Sequence, residues 1–198
     1  MLPTDHDQSL KGTINRYTST LQTALSNANW DSINDLAETL EDCWKTGRRL
    51  FVCGNGGSGA NAIHIENDFL YGISKTRGSG LRCKALTANQ SVITCLANDE
   101  GYEKIFSYQV AVHAQPGDVL LVLSGSGNSA NIVKVIEEAK RLDLVTFGIL
   151  GYDGGKAKSL VDTAIHFPVD DMQICEDLQM MVAHIISQWL YTRRGLQD

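Results

Sequence analysis

A change in the spacing of apolar residues within residues 118–141 predicts a strand, a loop and a helix. Residues 119–123 are a continuous apolar run, which is typical of a strand buried on both faces. The loop that follows is Ser124-Gly125-Ser126-Gly127-Asn128-Ser129. Apolar residues then recur at helical spacing, at Ile132, Val133, Val135, Ile136 and Ala139.

The same unit recurs along most of the chain. Further strands are predicted at residues 48–53, 82–86, 146–150 and 164–169. Further helices are predicted at residues 60–71, 91–97, 103–114 and 173–192, with Ile105, Phe106, Val110 and Val112 facing inward in the third of these. Strands that alternate with helices favour an α/β fold, a parallel sheet covered by helices on both faces.

Two amphipathic helices are predicted ahead of the first strand. The first covers residues 9–27, and the second covers residues 30–46, with Asn29 or Asp31 as its cap and Gly47 as its stop. Because no strand precedes them, we expect residues 1–47 to be a helical oligomerisation arm of the same domain, which residues 48–198 complete. The alternative is simple packing on their own domain.

Three Gly-rich loops, at residues 54–59, 124–129 and 151–156, follow predicted strands. The carboxyl ends of parallel strands share one edge of the sheet, where ligands bind in such folds. Unpaired N–H groups at a helix start suit an anion, and glycines let the backbone approach it. Loop 124–129 has no Lys or Arg, so it would hold a phosphate with neutral donors; alternatively it is an ordinary turn in which Ser129 caps the helix.

Dinucleotide binding is a weaker reading of the first loop. Gly54, Gly56 and Gly59 have the GxGxxG spacing, but a dinucleotide fold needs an acidic residue at the end of the next strand. The predicted strand 82–86 leads instead into Thr87-Ala88-Asn89-Gln90.

The composition and charge of the chain disfavour nucleic acids and membranes as binding partners. The 198 residues carry a formal net charge of −6 without a basic run, which disfavours nucleic acid. The apolar runs are too short to span a bilayer, and residues 1–12 are polar and acidic, unlike a signal peptide. The five cysteines form no CxxC pair, so we expect reduced, mostly buried thiols in a cytoplasmic protein.

Two predicted helices carry a histidine and a carboxylate on one face. His64 and Asp68 are four residues apart, and Glu176 and His184 are eight residues apart on the last helix. If the helices face each other, these groups suit a zinc site or an acid–base pair. The alternative is that each histidine makes a hydrogen bond in a helix interface.

Several motifs together resemble the SIS (sugar isomerase) domain family, and within it the phosphoheptose isomerase branch. They are Cys53-Gly-Asn-Gly-Gly-Ser58, His64 with Asp68, Ala97-Asn98-Asp99, Ser124-x-Ser-Gly-Asn-Ser129, Asp153-Gly-Gly-Lys156 and His184. The resemblance covers nearly the whole chain. It implies a three-layer, flavodoxin-like sandwich with a five-stranded parallel sheet, and a homotetramer with active sites lined by more than one subunit.

The resemblance also implies roles for individual residues. His184 and Asp68 would move protons between C1 and C2 of sedoheptulose 7-phosphate through an enediol. Substrate contacts would come from Asn55, Gly56, Gly57, Ser58, Asp99, Ser124, Ser126, Asn128, Ser129 and Glu176. Some members bind zinc, for which the matching residues are His64, Asp68, Glu176 and His184.

The chain departs from the family pattern at three places. Asp68 stands where the family typically has Glu, which retracts the carboxylate by about 1.5 Å, and a misplacement near 1 Å can cost roughly a hundredfold in rate. Glu176 replaces a Gln, which adds a negative charge. The family's early Arg is missing, and Lys75 or Arg77 is the candidate replacement.

A non-catalytic SIS protein is the competing reading. Such a protein would bind a sugar phosphate or act as a scaffold, and some relatives bind a replication initiator as tetramers. These relatives would be expected to lack the catalytic pair, so His184 and Asp68 favour an enzyme.

Overall fold

The computed structural model describes residues 8–75 and 78–193, which form an α/β fold of three layers. The strands are β1 (Arg49–Gly54), β2 (Arg82–Ala85), β3 (Val119–Ser124), β4 (Val145–Leu150) and β5 (Thr163–His166). The α-helices are α1 (Leu10–Ser26), α2 (Trp30–Thr46), α3 (Gly56–Asn67), α4 (Gln90–Asp99), α5 (Ser107–His113), α6 (Ala130–Arg141), α7 (Gly155–Leu160) and α8 (Met172–Arg193). A π-helix, Asp68–Gly72, continues α3, and a 3₁₀ turn, Tyr102–Lys104, precedes α5.

Within the described residues, five parallel strands form one sheet in the order β2-β1-β3-β4-β5. The central strand β3 is buried at all six positions, which explains why residues 119–123 are apolar without alternation. Val52 of β1 lies opposite Leu121 of β3, and Leu121 lies opposite Phe147 of β4. The predicted five-stranded parallel sheet is confirmed.

Helices cover both faces of the sheet. The core on one face includes buried residues of α2, α3 and α8, such as Leu40, Ile65 and Leu178. The core on the other face includes residues of α5, α6 and α7, such as Val110 and Ile136. Because each helix presents one apolar stripe to the sheet, this arrangement follows from the helical spacing of the sequence.

Most element boundaries match the sequence predictions, and the differences have physical reasons. Asn29 is the α2 cap, with its side chain accepting from the backbone N–H of Asp31, and Gly47 ends the helix in the left-handed conformation. Helix α3 begins at Gly56 rather than at residue 60, because tertiary packing overrides the poor helix propensity of glycine. Strand β5 ends at His166 rather than at residue 169, since Pro168 has no N–H to donate to a ladder.

The helix predicted at residues 103–114 is wrong in part. It is divided into the 3₁₀ turn and α5, and Val112, predicted to face inward, is 65% exposed. The short helix α7 was not predicted at all, since residues 151–156 read as a glycine-rich loop.

The two N-terminal helices differ in how they pack. Helix α2 buries Ile33, Leu36 and Leu40 in its own domain, so it is part of the sandwich. Helix α1 buries only Ala24, while its Leu10 and Ile14 are exposed. The oligomerisation arm predicted for residues 1–47 therefore remains an expectation for α1, and residues 1–7 of that arm lie outside the described part of the chain.

A hydrogen bond ties α1 to α8. The Tyr17 hydroxyl donates to Asp177 Oδ2 at 2.5 Å. Burial, with a smaller contribution from this hydrogen bond, raises the pKa of Tyr17 to about 12. The phenol therefore stays protonated and keeps donating across the physiological range.

The cysteines are unpaired, as the sequence predicted. Cys43, Cys53, Cys83 and Cys175 are buried, and Cys95 is exposed. Burial raises the pKa of the Cys43 thiol to about 12, which disfavours the reactive thiolate. In the described part of the chain, no helix combines the length and the apolar character that crossing a bilayer requires.

Replacing Leu40 by Ala tests the packing of α2 on the sheet. Leu40 is fully buried, so the substitution removes apolar contacts and leaves a cavity. We expect the free energy of unfolding to fall by about 2–5 kcal/mol in urea titrations. Asn34→Ala, on the exposed face of the same helix, should change it by less than about 0.5 kcal/mol. Equal effects of the two substitutions would show that α2 is not held in the core.

Candidate active site

Two histidines and an aspartate converge between α3 and α8. His64 Nε2 lies 3.4 Å from His184 Nε2, and both nitrogens approach Asp68 Oδ2, at 3.5 and 3.4 Å. The two rings meet edge to face, with centroids 5.2 Å apart. Sequence spacing placed His64 and Asp68 on one face of a helix, and the contact of α3 with α8 adds His184 to them.

A buried amide holds α3 and α8 together below this cluster. Gln179 of α8 is fully buried, and its Nε2 donates to the Ser58 hydroxyl at 3.0 Å. Its Oε1 accepts from Asn61 Nδ2 at 3.0 Å, and the same Asn61 nitrogen donates to the backbone carbonyl of Glu176. Because a buried amide is costly unless its hydrogen bonds are made, this arrangement fixes the register between the two helices.

Asp68 is the first residue of the π-helix, and the segment that contains Gly80 and Leu81 packs against that turn. The backbone N–H of Leu81 donates to the carbonyl of Phe69 at 2.9 Å, and the Phe69 ring is buried in the core. Gly80 lies so close to the backbone of Leu70 that a side chain there would overlap it. The widened turn thus has a fixed position, as is frequent for π-turns at functional sites.

The serine loop has internal hydrogen bonds that set its shape. The Ser124 hydroxyl accepts from the N–H of Gly127 at 3.0 Å, and the Ser126 hydroxyl accepts from the N–H of Asn128 at 3.3 Å. Each hydroxyl can still donate its own proton to an anion. Ser129 occupies the cap position of α6, but its side chain makes no capping hydrogen bond. The alternative that Ser129 only caps the helix therefore does not explain its hydroxyl.

The loop 151–156 supports the serine loop directly. Gly127 has a φ of +65°, and a side chain there would overlap the carbonyl of Gly154. Asn128 Oδ1 accepts from the N–H of Lys156 at 3.1 Å, and the N–H of Ala157 donates to the carbonyl of Gly127 at 3.0 Å. Two of the three predicted loops therefore form one unit.

A pair of amides joins the first loop to the serine loop. Asn55 Nδ2 donates to Asn131 Oδ1 at 2.9 Å, and Asn131 Nδ2 donates back to Asn55 Oδ1 at 2.8 Å. The Tyr102 hydroxyl also donates to Asn55 Oδ1, at 3.1 Å. This contact places loop 54–59 next to the first turn of α6, as expected for adjacent strands β1 and β3.

Sequence reasoning missed the supporting roles of Asn131 and Gln179. Each lies on the inward stripe of its helix: Asn131 is four residues before Val135, and Gln179 is four residues after Cys175. The sequence signal for such a role is a polar side chain on an otherwise apolar helix stripe, because a polar group buried there requires a hydrogen-bond partner. The partner itself cannot be read from the sequence.

Glu176 lies apart from the His64–Asp68–His184 group. Its carboxylate covers the first turn of α3, where a side chain on Gly57 would overlap it. The positive end of a helix dipole stabilises an anionic group at that place. Among the described residues, His64, Asp68 and His184 are the only group of three or more whose ligand atoms all lie within 4.8 Å of one another, so the structure assembles three of the four predicted metal ligands.

The predicted site residues line different cavities within a single chain. Asp68, Lys75 and His184 line a cavity of about 520 Å³, whereas Ser126 and Asn128 line another of about 630 Å³. Asp99 lies at the end of α4, beside a third cavity of about 480 Å³. Lys75 therefore neighbours the histidine cluster, while Arg77, the other candidate base, lies outside the described residues.

The geometry of the three-residue group fits a zinc ion. Ligand atoms bound tetrahedrally at 2.0–2.1 Å from zinc lie about 3.4 Å from one another. The three separations of 3.4, 3.4 and 3.5 Å match that value. Two imidazoles and a carboxylate are a common ligand set of catalytic zinc, which keeps a fourth position for water or substrate.

Replacing Asn131 by Ala tests the link between the two loops. Asn131 is 1% exposed, and its loss leaves the Asn55 amide without its reciprocal partner. We expect the free energy of unfolding to fall by about 1–3 kcal/mol in urea titrations. Asn15→Ala, an exposed amide on α1, serves as the control and should have almost no effect. An unchanged stability of the Asn131 variant would contradict a structural role for the pair.

Comparison with known proteins identifies the family. The family model of the SIS domain matches residues 15–151. The phosphoheptose isomerase of Fusobacterium nucleatum is 39% identical over 155 residues, which are 76% of this chain and 77% of that protein. The solved phosphoheptose isomerase of Neisseria gonorrhoeae has a TM-score of 0.84 and 27% identity, covering 91% of this chain and 96% of its own. That of Francisella tularensis has a TM-score of 0.84 and 28% identity, covering 92% and 98%. The chain belongs to the SIS domain family, in its phosphoheptose isomerase branch.

Proposed function

We propose that this protein converts sedoheptulose 7-phosphate to D-glycero-D-manno-heptose 7-phosphate. Membership of the branch makes it a phosphosugar isomerase, and the relatives named above are phosphoheptose isomerases. The observation that carries the proposal is the convergence of His184 and Asp68 across α3 and α8. A scaffold protein would need neither group.

The serine loop is proposed to bind the phosphate of the substrate. The hydroxyls of Ser124, Ser126 and Ser129 donate to its oxygens, and the N-terminus of α6 adds favourable dipoles. Asn55, at the start of α3, and Ser58, in its first turn, lie next to this loop, and the Asn55–Asn131 pair holds the two segments together.

The isomerisation moves one proton between two carbons. His184 takes a proton from C1 of the open-chain ketose, the C1–C2 bond becomes the double bond of an enediolate, and the proton is delivered to C2. The hydroxyl proton of O1 passes to O2, for which Asp68 is the proposed carrier. Asp68 Oδ2, 3.4 Å from His184 Nε2, also stabilises the imidazolium that forms.

Zinc is the proposed metal of this site. His64, Asp68 and His184 would hold it. Glu176, the fourth predicted ligand, lies apart on the first turn of α3, so the fourth position is left for water or substrate. When bound, zinc supplies a positive charge that polarises the substrate oxygens. The single lone pair of His184 Nε2 cannot bind a metal ion and accept a proton at the same time, so the proton-transfer role of His184 belongs to the metal-free protein.

A homotetramer is proposed to complete the site. The serine loop and the His184–Asp68 pair line different cavities of one chain, so a neighbouring subunit would bring the two groups of residues to one substrate. The exposed Leu10 and Ile14 of α1 support contact with another subunit.

The proposed location is the cytoplasm. The unpaired cysteines support it, because thiols stay reduced in that compartment.

Replacing His184 by Gln tests the proton transfer. Loss of a positioned general base typically costs 10²–10⁴-fold, so for the metal-free protein, prepared with a chelator, we expect kcat for sedoheptulose 7-phosphate to fall by at least about a hundredfold. His113→Gln, a histidine on α5 away from the cluster, should keep full activity. Aldose formation can be followed by a coupled assay, and full activity of the His184 variant would rule out this role.

Metal analysis tests the zinc site separately from activity. After loading with zinc and desalting, the protein should retain about one zinc per chain, and His64→Ala should lower this at least about tenfold by removing one of three ligands. Glu176→Gln should keep its zinc, because that carboxylate lies on the first turn of α3, apart from the three ligands. Equal zinc in the wild type and the His64 variant would refute the site.

A further inference from the structure

A basic cavity lies at the edge of the sheet opposite the Gly-rich loops. It has a volume of about 270 Å³, and its lining includes Lys45, Arg48, Arg82 and Arg193. Arg48 directly precedes β1 and Arg82 begins β2, whereas the Gly-rich loops follow the other ends of the strands. We call this space the amino-edge cavity.

The amino-edge cavity carries more positive than negative charge. Glu41 pairs with Lys45 at 3.0 Å and with Arg193 at 3.2 Å, and Asp42 pairs with Arg48. Among the described residues, no carboxylate lies within ion-pair distance of Arg82. Four cations therefore face two carboxylates, in a chain with a formal net charge of −6.

Arg82 does not use all of its hydrogen-bond donors within the protein. Arg82 donates one N–H, from Nη1, to the carbonyl of Gly47 at 3.0 Å. A guanidinium has five N–H donors in a planar fork that matches the oxygens of phosphate. Arg48 uses its donors more fully, on Thr46, Gly117 and Asp42, so Arg82 is the principal binding group.

The size of the cavity restricts what it can hold. Pockets for drug-sized ligands typically have volumes of roughly 300–1,000 Å³, and this one lies below that range. We propose that the amino-edge cavity is a second anion site, which binds a phosphate group or a small phosphorylated molecule. It binds through charge, whereas the serine loop offers neutral donors, so the two sites are chemically distinct.

Phosphate titration with charge-matched variants tests this inference. Inorganic phosphate is titrated calorimetrically, at low ionic strength, into a Ser126→Ala/Ser129→Ala protein, in which two of the three serine-loop hydroxyls are removed to weaken phosphate binding there. We expect about one phosphate per chain, bound about tenfold more weakly once Arg82→Gln removes its charge-assisted hydrogen bonds. Arg16→Gln, an exposed arginine on α1, makes the same change in net charge and should leave binding unaltered.

Two outcomes would overturn the proposal. One is that the serine-loop variant binds no phosphate, and the other is that Arg82→Gln and Arg16→Gln bind it equally well. If Arg82→Gln fails to fold, as judged by circular dichroism, Lys45→Gln replaces it and is judged by the same tenfold criterion. This substitution removes a lining cation and leaves Glu41 paired with Arg193 alone. Because the readout is binding at Arg82, it does not depend on isomerase activity.

Discussion

The packing of α3 against α8 is the contact on which the candidate active site depends. Each helix alone carries a half-exposed histidine that would have no chemical task. The buried Gln179, bonded to Ser58 and Asn61, holds the two helices in one register. A shift by one helical residue is about 1.5 Å along the axis, enough to separate His184 from Asp68. The buried amide thus decides the chemistry of an exposed surface.

The π-helix positions Asp68, the residue that stands where the family pattern has a glutamate. An aspartate in place of glutamate shortens the side chain, yet Asp68 Oδ2 lies within 3.5 Å of both imidazoles. A π-turn is wider than an α-helical turn and changes the direction in which a side chain leaves the helix. The close approach of Gly80 to Leu70 fixes that turn. With the backbone in this position, Asp68 reaches both histidines.

The loops at the carboxyl edge form a second rigid unit, held by small residues and amides. Gly127 and Gly155 allow the backbones of two loops to touch, and the Asn55–Asn131 pair adds the third loop. Such a unit orders hydroxyls and N–H groups before a ligand arrives, which lowers the entropic cost of binding. No cation takes part in the serine loop, whereas cations gather at the opposite edge of the sheet.

Hydrophobic period and helical spacing are local properties, so the strand–loop–helix units, the layer order and the pairing of His64 with Asp68 could all be predicted from the sequence. It also indicated the loops through Ser and Gly. It could not place the helix start at Gly56, the π-turn at Asp68 or the separation of Glu176 from the histidines, since these depend on contacts between residues far apart in the chain. Only the tertiary structure brought His184 to Asp68, because packing, not spacing, decides which helices meet.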